Sequence, residues 1–508
     1  MKSEVECAIK RMKSHKSPGT DGISAEIIKA GGEELCEHLH ELVAMIWEEE
    51  TMPLEWTKSI VVTLPKKGDL KNCSNYRTLS LINHLCKILL MIILKRLKAR
   101  AESCLSEEQA GFRSDRSTIH QILILRLIAE NTISRQGKVI YNCFIDFKKA
   151  FDTIKHPNIW AVLESYGIEQ KLINIIKLVY GSAQAAVRVD GELGDWFRQE
   201  VGSRQGDPIS PTIFIIYLER IVQRLHEVST GVSVHGRPIN YLCFADDIDL
   251  MEQSLGELQT SLDTICKDAS DYGLKINVGK TKAMVFGNST DDNNNNNLSV
   301  GSETIENVEG FVYLGSLLTS DNDCSKEIRR RIALASGTLG KFRKIIKNRQ
   351  IRNQVKLQII HVCIFSVLLY AAETWTLKKD DIRRLEAFEM RCYRQSLNIE
   401  WFDRITNTEV INRMQPRKRL IQMLIKRKLG LFGHVCRMGD DRLIKTTMLG
   451  MVDGTRMRGG QRRRWIDDIK DWSGMTLGQL LGVAADRRAW RNMVHEIVDT
   501  NGHQAHGD

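Results

Sequence analysis

Paired cysteines are missing from this chain of 508 residues. Its 12 cysteines are scattered singly with no C-x-x-C pair, which leaves neither a zinc ribbon nor a zinc knuckle supported by spacing. His434 and Cys436 likewise have no partners at ligand spacing, so no metal is expected there. Long apolar runs are absent too: the longest, Ile359 to Ala372, contains His361, is too short to span a bilayer and reads as a buried helix. No amino-terminal signal peptide is visible, because Lys2, Glu4 and Glu6 interrupt any early apolar core. A reducing intracellular setting and no membrane partner are the expectation. What the chain does have is core-forming material, 42% hydrophobic, enough for about two to four subdomains. Its net charge of +10 suits a polyanionic partner. Basic clusters at Arg329-Arg330-Arg331, Arg417-Lys418-Arg419, Lys426-Arg427-Lys428 and Arg456 to Arg464 would contact phosphates without reading sequence.

The run Tyr241 to Leu250 sets two adjacent carboxylates, Asp246 and Asp247, inside an otherwise apolar, strand-like segment. Buried carboxylates cost several kcal/mol unless compensated, and a bound divalent cation is the simplest compensation. Taken alone, a tight hairpin tipped by Asp-Asp is an equal reading, since Asp favours turns. One hundred residues earlier, Tyr141 to Asp152 is another apolar run with one carboxylate, Asp146, where a strand would end and a helix begin. Three carboxylates from two strands can hold two Mg²⁺ ions, the arrangement used for in-line phosphoryl displacement. Between the two strands, Gly202 to Pro211 is a glycine- and proline-punctuated loop opening a helical pattern, able to bring backbone close to a sugar or base.

In that order, Phe144-Ile145-Asp146-Phe147-Lys148-Lys149-Ala150-Phe151-Asp152, Arg204-Gln205-Gly206-Asp207-Pro208-Ile209-Ser210-Pro211 and Phe244-Ala245-Asp246-Asp247 resemble the successive palm motifs of reverse transcriptases. The Phe-Ala-Asp-Asp form resembles the non-LTR, LINE-type retrotransposon branch. Further resemblances fall in sequence: Lys13 to Ile23 with the amino-terminal extension, Leu64 to Asp69 through Asn75-Tyr76-Arg77 with the fingers, and Gln109-Ala110-Gly111-Phe112-Arg113 with the next fingers motif. Gly273 to Asn277 with Lys280-Thr281-Lys282, and Tyr313-Leu314-Gly315, resemble the closing palm and primer-grip motifs. The series covers about residues 10 to 400, and its order makes it specific.

The resemblance implies an α+β, right-hand polymerase fold with fingers, palm and thumb, followed by a helical basic carboxy-terminal region. It implies an RNA-directed DNA polymerase extending a DNA 3′ end on an RNA template from deoxynucleoside triphosphates. Asp146, Asp246 and Asp247 would bind two Mg²⁺ ions, with Mn²⁺ as an alternative. Phe151 matches a steric gate against the sugar 2′ carbon. Gln205 and Gly206 match the loop along the nascent pair, Lys66 (or its neighbour Lys67) and Arg77 the grip on the triphosphate, and Lys280 a group that protonates or orients pyrophosphate. Thr78 departs from the proline common after Tyr-Arg. The chain starts almost at the first polymerase motif, so an upstream endonuclease domain is not expected within it. A group II intron-like or telomerase-like enzyme is a neighbouring reading, and a truncated or captured copy that binds RNA without polymerising is the reading from a different class.

Along the chain the expected organisation is fingers with the amino-terminal extension over 1–120, palm with primer grip over 121–323, helical thumb over 324–400 and a basic nucleic-acid-binding region over 401–508. The polar tract Asp291 to Asn297 would tip a hairpin. Ile328, Ile332, Ala335, Leu339, Phe342 and Ile346 mark one apolar face of a long helix, with Arg329, Arg343 and Lys344 exposed near the duplex. In the tail, Arg462, Arg463 and Arg464 beside Trp465, Trp472 and Trp490 read either as phosphate contact with base stacking or as a small helical domain with a tryptophan core. Copying RNA into chromosomal DNA would need the nucleus after a cytoplasmic ribonucleoprotein stage. The oligomeric state is not legible.

Overall fold

β-Branched residues dominate the segment from Ile60 to Thr63. In the computed structural model, which describes residues 2–66, 68–135, 138–287, 297–450 and 462–500, this segment lies in strand β1 (Lys58–Pro65). β1 pairs antiparallel with β2 (Tyr76–Ile82), placing Leu64 opposite Arg77. Two helices follow, α1 (His84–Ala101) and α2 (Thr118–Ile133). α2 is apolar around most of its circumference, the pattern of a helix buried on all sides, and Ser117 caps it by accepting from the His120 N–H. Its buried Arg126 donates to the Leu317 carbonyl at 2.9 Å and to Ser316 Oγ at 3.3 Å.

The next strand, β3 (Ile140–Ile145), is central to a second sheet. After it, β4 (Gln184–Val189) returns to the first sheet parallel to β1, and α3 (Ser210–Val222) leads to the hairpin β5 (Tyr241–Phe244) and β6 (Asp247–Glu252). Helix α4 (Leu255–Asp271) and strand β7 (Lys282–Phe286) follow, with β3 between β6 and β7 and these pairings antiparallel, and a short strand, Glu306–Asn307, adds parallel to β7 at the edge. Alternation along the strands makes two different faces. Cys143, Ile145, Ile248 and Leu250 share a core with α1, α3 and α4. Phe144, Met251, Met284 and Phe286 point the other way, onto α2 and the carboxy-terminal helices.

A tight hairpin, β8 (Gly310–Tyr313) and β9 (Ser316–Thr319), precedes α5 (Cys324–Lys341). The helix expected to run unbroken to Ile346 ends at Lys341; Phe342 forms a turn, and a single helical turn, Arg343–Ile346, follows. Gly337 and Gly340, both poor helix formers, lie in the final turns before this break. The apolar face survives it, since Ile328, Ala335, Leu339 and Ile346 are all buried. The stretch from Ile359 is helical as expected, but widens into a π-helical segment, Ile360–Phe365.

Five labelled helices close the chain: α6 (Lys379–Leu397), α7 (Asn407–Met414), α8 (Leu420–Cys436), α9 (Trp465–Ser473) and α10 (Arg487–Thr500). Val410, Met414, Leu420 and Leu424 share one core with α5 and α6, so packing runs through residue 400 without a break. Buried Glu389 ties the joint by accepting from the Leu420 N–H and Arg419 Nε, each at 2.8 Å. From Ile425 onward α8 packs with α9 and α10 against α2. The carboxy-terminal helices therefore cover the back of the second sheet. Trp465 and Trp490 are core residues there, 1% and 3% exposed, which settles them as packing groups and removes them from base stacking. The tract 291–296, together with Arg456 and Arg458, lies outside the described residues. All twelve cysteines are free, with Cys143 and Cys243 fully buried, and no helix among the described residues is long and apolar enough to cross a membrane.

Candidate active site

Strand register brings the carboxylates together. Ile248 stands opposite Ile145 and Asp249 opposite Phe144, so one further step places Asp247 against Asp146 at the open end of β3 and β6. Asp246 sits in the turn between β5 and β6, following Ala245 with its positive φ of 58°. The doublet is thus a hairpin tip and a carboxylate pair at once. Burial raises the pKa of Asp246, with the Asp146 charge adding to it. Asp247 is pushed up to about 6 by loss of hydration and by the charges of Asp246 and Asp146, although it reaches solvent at the mouth of the cleft. Opposing this, Lys280 lies 3.4 Å from Asp146 Oδ2, and Lys280 and Arg77 pull Asp246 back down.

Asp146 is held from behind. Its N–H donates to Thr281 Oγ1 at 3.3 Å, its carbonyl accepts from the Asn277 N–H at 2.7 Å, and Asn277 Nδ2 donates to its carboxylate at 3.1 Å. The segment Lys275 to Lys282 is therefore the frame for this carboxylate. The donor set is all oxygen, and the mutual repulsion of the three acids is the imbalance that a hard divalent cation offsets, so the residues fit such an ion. Among the described residues no three His, Cys, Asp or Glu side chains already stand gathered as a ligand cluster.

The loop after β4 reaches the same place. Gln205 Nε2 donates to Asp152 Oδ1 at 2.7 Å, and the Gln205 carbonyl accepts from the Ser80 N–H at 2.6 Å, which fastens the loop to the edge of β2. Gly206 has φ of 117°, and a Cβ there would stand 2.7 Å from the Ser80 carbonyl, so only glycine fits. Beneath the loop Arg204 is fully buried and donates to the Thr57 and Val179 carbonyls at 2.8 and 2.7 Å. Phe151 stacks on Phe214 with ring centroids 4.2 Å apart and meets the edge of half-exposed Phe112 at 6.3 Å. Arg77 is exposed on β2, and Lys66 is exposed just past β1, its N–H donating to the Asn75 carbonyl at 2.7 Å; Lys67 lies outside the described residues.

Tyr313, Leu314 and Gly315 form the β8–β9 turn. Leu314 and Gly315 both have positive φ, 45° and 85°, as a two-residue hairpin requires. Tyr313 is buried beside Phe144 at 5.6 Å, on the face of the sheet that carries Asp247 and Asp249. Tyr370 donates to the Leu314 carbonyl at 2.8 Å, and Arg331 lies over the Tyr370 ring at 4.5 Å and donates to the Gly315 carbonyl. Arg329, Arg343 and Lys344 are exposed along α5 and the turn after it. The tail arginines are engaged within the chain: Arg462 donates to the Asp321 carbonyl at 2.8 Å, Arg463 pairs with Asp468 and Asp471, and Arg464 pairs with Asp467.

Two positions carry more than the motifs suggested. Gln109 Oε1 accepts from the Gly111 N–H at 2.7 Å and from the Ala245 N–H at 3.2 Å, while the Ala110 N–H donates to the Cys243 carbonyl. Gln109–Gly111 thus docks on the Asp-Asp turn, and a Cβ on Gly111 would lie 2.2 Å from the Ala245 nitrogen. Asp249 is wholly buried on β6 and takes both hydrogen bonds of Asn142 Nδ2, at 2.9 and 3.0 Å; burial raises its pKa far above the carboxylate range. The repeat Asp246-Asp247-Ile248-Asp249 was the available signal for Asp249. Gln109 had none beyond its motif.

A palm-like sheet ending in three acids, with a Gln-Gly loop and a carboxylate hairpin beside it, defines a template-copying polymerase of right-hand form. The family described as reverse transcriptase (RNA-dependent DNA polymerase) matches residues 64–318, and the chain belongs to it. Enzymes of this family act on a nucleic-acid template and generally use divalent metal ions. The chain is 30% identical over 290 residues to the retrovirus-related Pol polyprotein from the type-1 retrotransposable element R2 of Popillia japonica, covering 56% of this chain and 39% of that one. It is 24% identical over 427 residues to the RNA-directed DNA polymerase from mobile element jockey of Drosophila funebris, covering 80% and 45%. The chain spans less than half the length of these curated relatives. Among solved structures it is similar to apo telomerase from Candida tropicalis, at 12% identity and a TM-score of 0.41 over 82% of this chain and 73% of that one.

Proposed function

We propose that this chain is the RNA-directed DNA polymerase of a non-LTR retrotransposon and extends a DNA 3′ end on an RNA template. The observation that carries the reading is the meeting of Asp146 with Asp247 at one end of the sheet, with Asp246 in the adjoining turn and their charges in mutual opposition. Those three carboxylates would hold the divalent ions, Mg²⁺ in the first instance and two in number, which when bound activate the primer hydroxyl and neutralise charge on the triphosphate.

The chain's own groups do the rest. Asn277 and Thr281 fix Asp146, and Lys280, 3.4 Å from its carboxylate, would supply an ammonium at the phosphate end of the site. Arg77, on the neighbouring sheet, supplies a fixed cation for the triphosphate, with Lys66 beside it at the strand end. Phe151, braced by Phe214, stands as the wall that a ribose 2′ hydroxyl would strike. Gln205 and Gly206 lie along the nascent pair, and Tyr313, Leu314 and Gly315 steady the primer. In this reading residues 1–120 serve as fingers, 121–323 as palm and 324–400 as thumb, with the thumb core continued by packing through Leu424. Reaching chromosomal DNA after a cytoplasmic ribonucleoprotein stage implies a nuclear site of action. Extension of a DNA primer on RNA with Mg²⁺ and deoxynucleotides tests the proposal; a chain that binds template yet never extends it in Mg²⁺ or Mn²⁺ is a captured RNA-binding copy instead.

A further inference from the structure

Away from the carboxylates, α6 and α7 diverge and leave an open groove of about 760 Å³. Its lining holds four arginines, Arg383, Arg391, Arg394 and Arg419, against a single acid, Glu386. Three of those guanidiniums are committed: Arg383 to Asp380 at 3.2 Å, Arg419 to Glu389 at 2.8 Å, and Arg394 to the Ile405 carbonyl and Asn407 Oδ1 at 2.7 and 3.0 Å. Arg394 thereby straps the loop after α6 to the start of α7. Arg391 is exposed and has no hydrogen-bond or ion-pair partner among the described residues.

The strapped loop carries the second observation. Ile399 lines the groove, and two residues on Trp401 is 89% exposed with Phe402 beside it at 63%. Their rings meet edge to face with centroids 6.1 Å apart. Large aromatics are normally sunk into a core, as Trp375, Trp465 and Trp490 are in this chain; two left bare in sequence, on the loop whose Ile399 lines the same groove as the unpaired Arg391, mark a surface suited to binding.

We propose that the α6–α7 groove is a second nucleic-acid site, in which Arg391 and its neighbours hold the backbone of a single strand and Trp401 and Phe402 stack on its unpaired bases. A duplex keeps its base faces covered, so the aromatic pair selects an unpaired strand. Phosphate contact by arginine makes the site salt-sensitive and indifferent to sequence. The α6 part of the groove belongs to the proposed thumb segment, but none of its residues is among the three acids, the Gln205–Gly206 loop or the Tyr313–Gly315 turn, so the site stands whether or not the chain polymerises.

The test is fluorescence anisotropy on the full chain with fluorescein-labelled oligouridylate and oligothymidylate, each measured after the cleft has been filled with unlabelled RNA–DNA hybrid. Binding of the single strand is expected to persist with hybrid present. It should fall about tenfold or more in Trp401→Ala/Phe402→Ala, and return in Trp401→Tyr/Phe402→Tyr. Arg391→Ala should lower the salt slope by about one. These residues are exposed, and primer extension on a short hybrid should be unchanged in each variant. Equal losses for both oligonucleotides assign the grip to stacking and phosphate, while a loss confined to oligouridylate adds the 2′ hydroxyl. Strand binding abolished by the hybrid, or unaltered in the aromatic variant, overturns the proposal. So does a variant that binds the strand normally but changes its sedimentation, because the surface would then serve protein association.

Discussion

Glu219, on α3, is 5% exposed and, among the described residues, has only the Ser106 hydroxyl, at 3.2 Å, as a side-chain donor. Burial pushes its carboxyl up to about 7. An acid whose folded pKa is raised stabilises the fold when protonated, and that contribution is lost as pH rises from its unfolded value, about 4.3, through the folded one. The expected outcome is a melting temperature that declines between pH 5 and 8. Glu219→Gln should recover about 3 to 4 kcal/mol at pH 8 and about 1 kcal/mol at pH 5, read from denaturant unfolding at the two pH values. Equal stability of variant and parent at both pH values would contradict this. Which acids the sheet brings together was legible: Asp146, Asp246 and Asp247 stand out because each interrupts an apolar run. What supports them was not. Asn277 and Thr281 reach Asp146 across more than 130 residues, and Gln109 reaches Ala245 across 136, distances over which a sequence carries no local pattern.

At the scale of elements, the junction between the Gln109–Gly111 segment and the β5–β6 turn leaves no room for a side chain at Gly111. Gly111→Ala sets a methyl 2.2 Å from the Ala245 nitrogen, against backbone already held at positive φ, so the turn must shift. Displacement of the carboxylates by about 1 Å costs about 100-fold in rate. The variant is expected to lose that much primer extension while its circular dichroism stays unchanged; full activity would show that the turn is not positioned by this segment. The strand-like run and its Asp-Asp hairpin tip were readable in Tyr241 to Leu250 because alternation and turn residues are local properties, whereas the hairpin Gly310 to Thr319 showed in the sequence only as the Tyr313-Leu314-Gly315 motif. The end of α5 at Lys341 was hidden, because the apolar positions of Ile328 to Ile346 keep their spacing straight across the break. The tryptophans of the tail were ambiguous for a similar reason: composition alone does not say whether a basic helix covers a core or a nucleic acid.

For the whole molecule, the carboxy-terminal helices and the second sheet share a core, and a buried ion pair ties α8 to α9 within it. Lys428 on α8 and Asp468 on α9 are 2.5 Å apart and fully enclosed, with Lys428 also donating to the Trp375 carbonyl at 2.7 Å and Arg463 approaching Asp468 at 2.8 Å. Lys428→Met leaves Asp468 buried with half its compensation, and about 3 to 5 kcal/mol of stability should be lost. Thermal unfolding followed at the sheet should show the whole protein destabilised; unfolding confined to the tail would mean that the tail is an independent unit. The central claim, that three acids at the end of this sheet copy RNA into DNA, is tested most directly by single-turnover primer extension on an RNA template with Mg²⁺, comparing the parent chain with Asp246→Asn/Asp247→Asn, both shown folded by their melting curves. The account predicts extension by the parent and a loss of about 1,000-fold or more in the variant, with template binding retained. Extension that survives in the variant would contradict it.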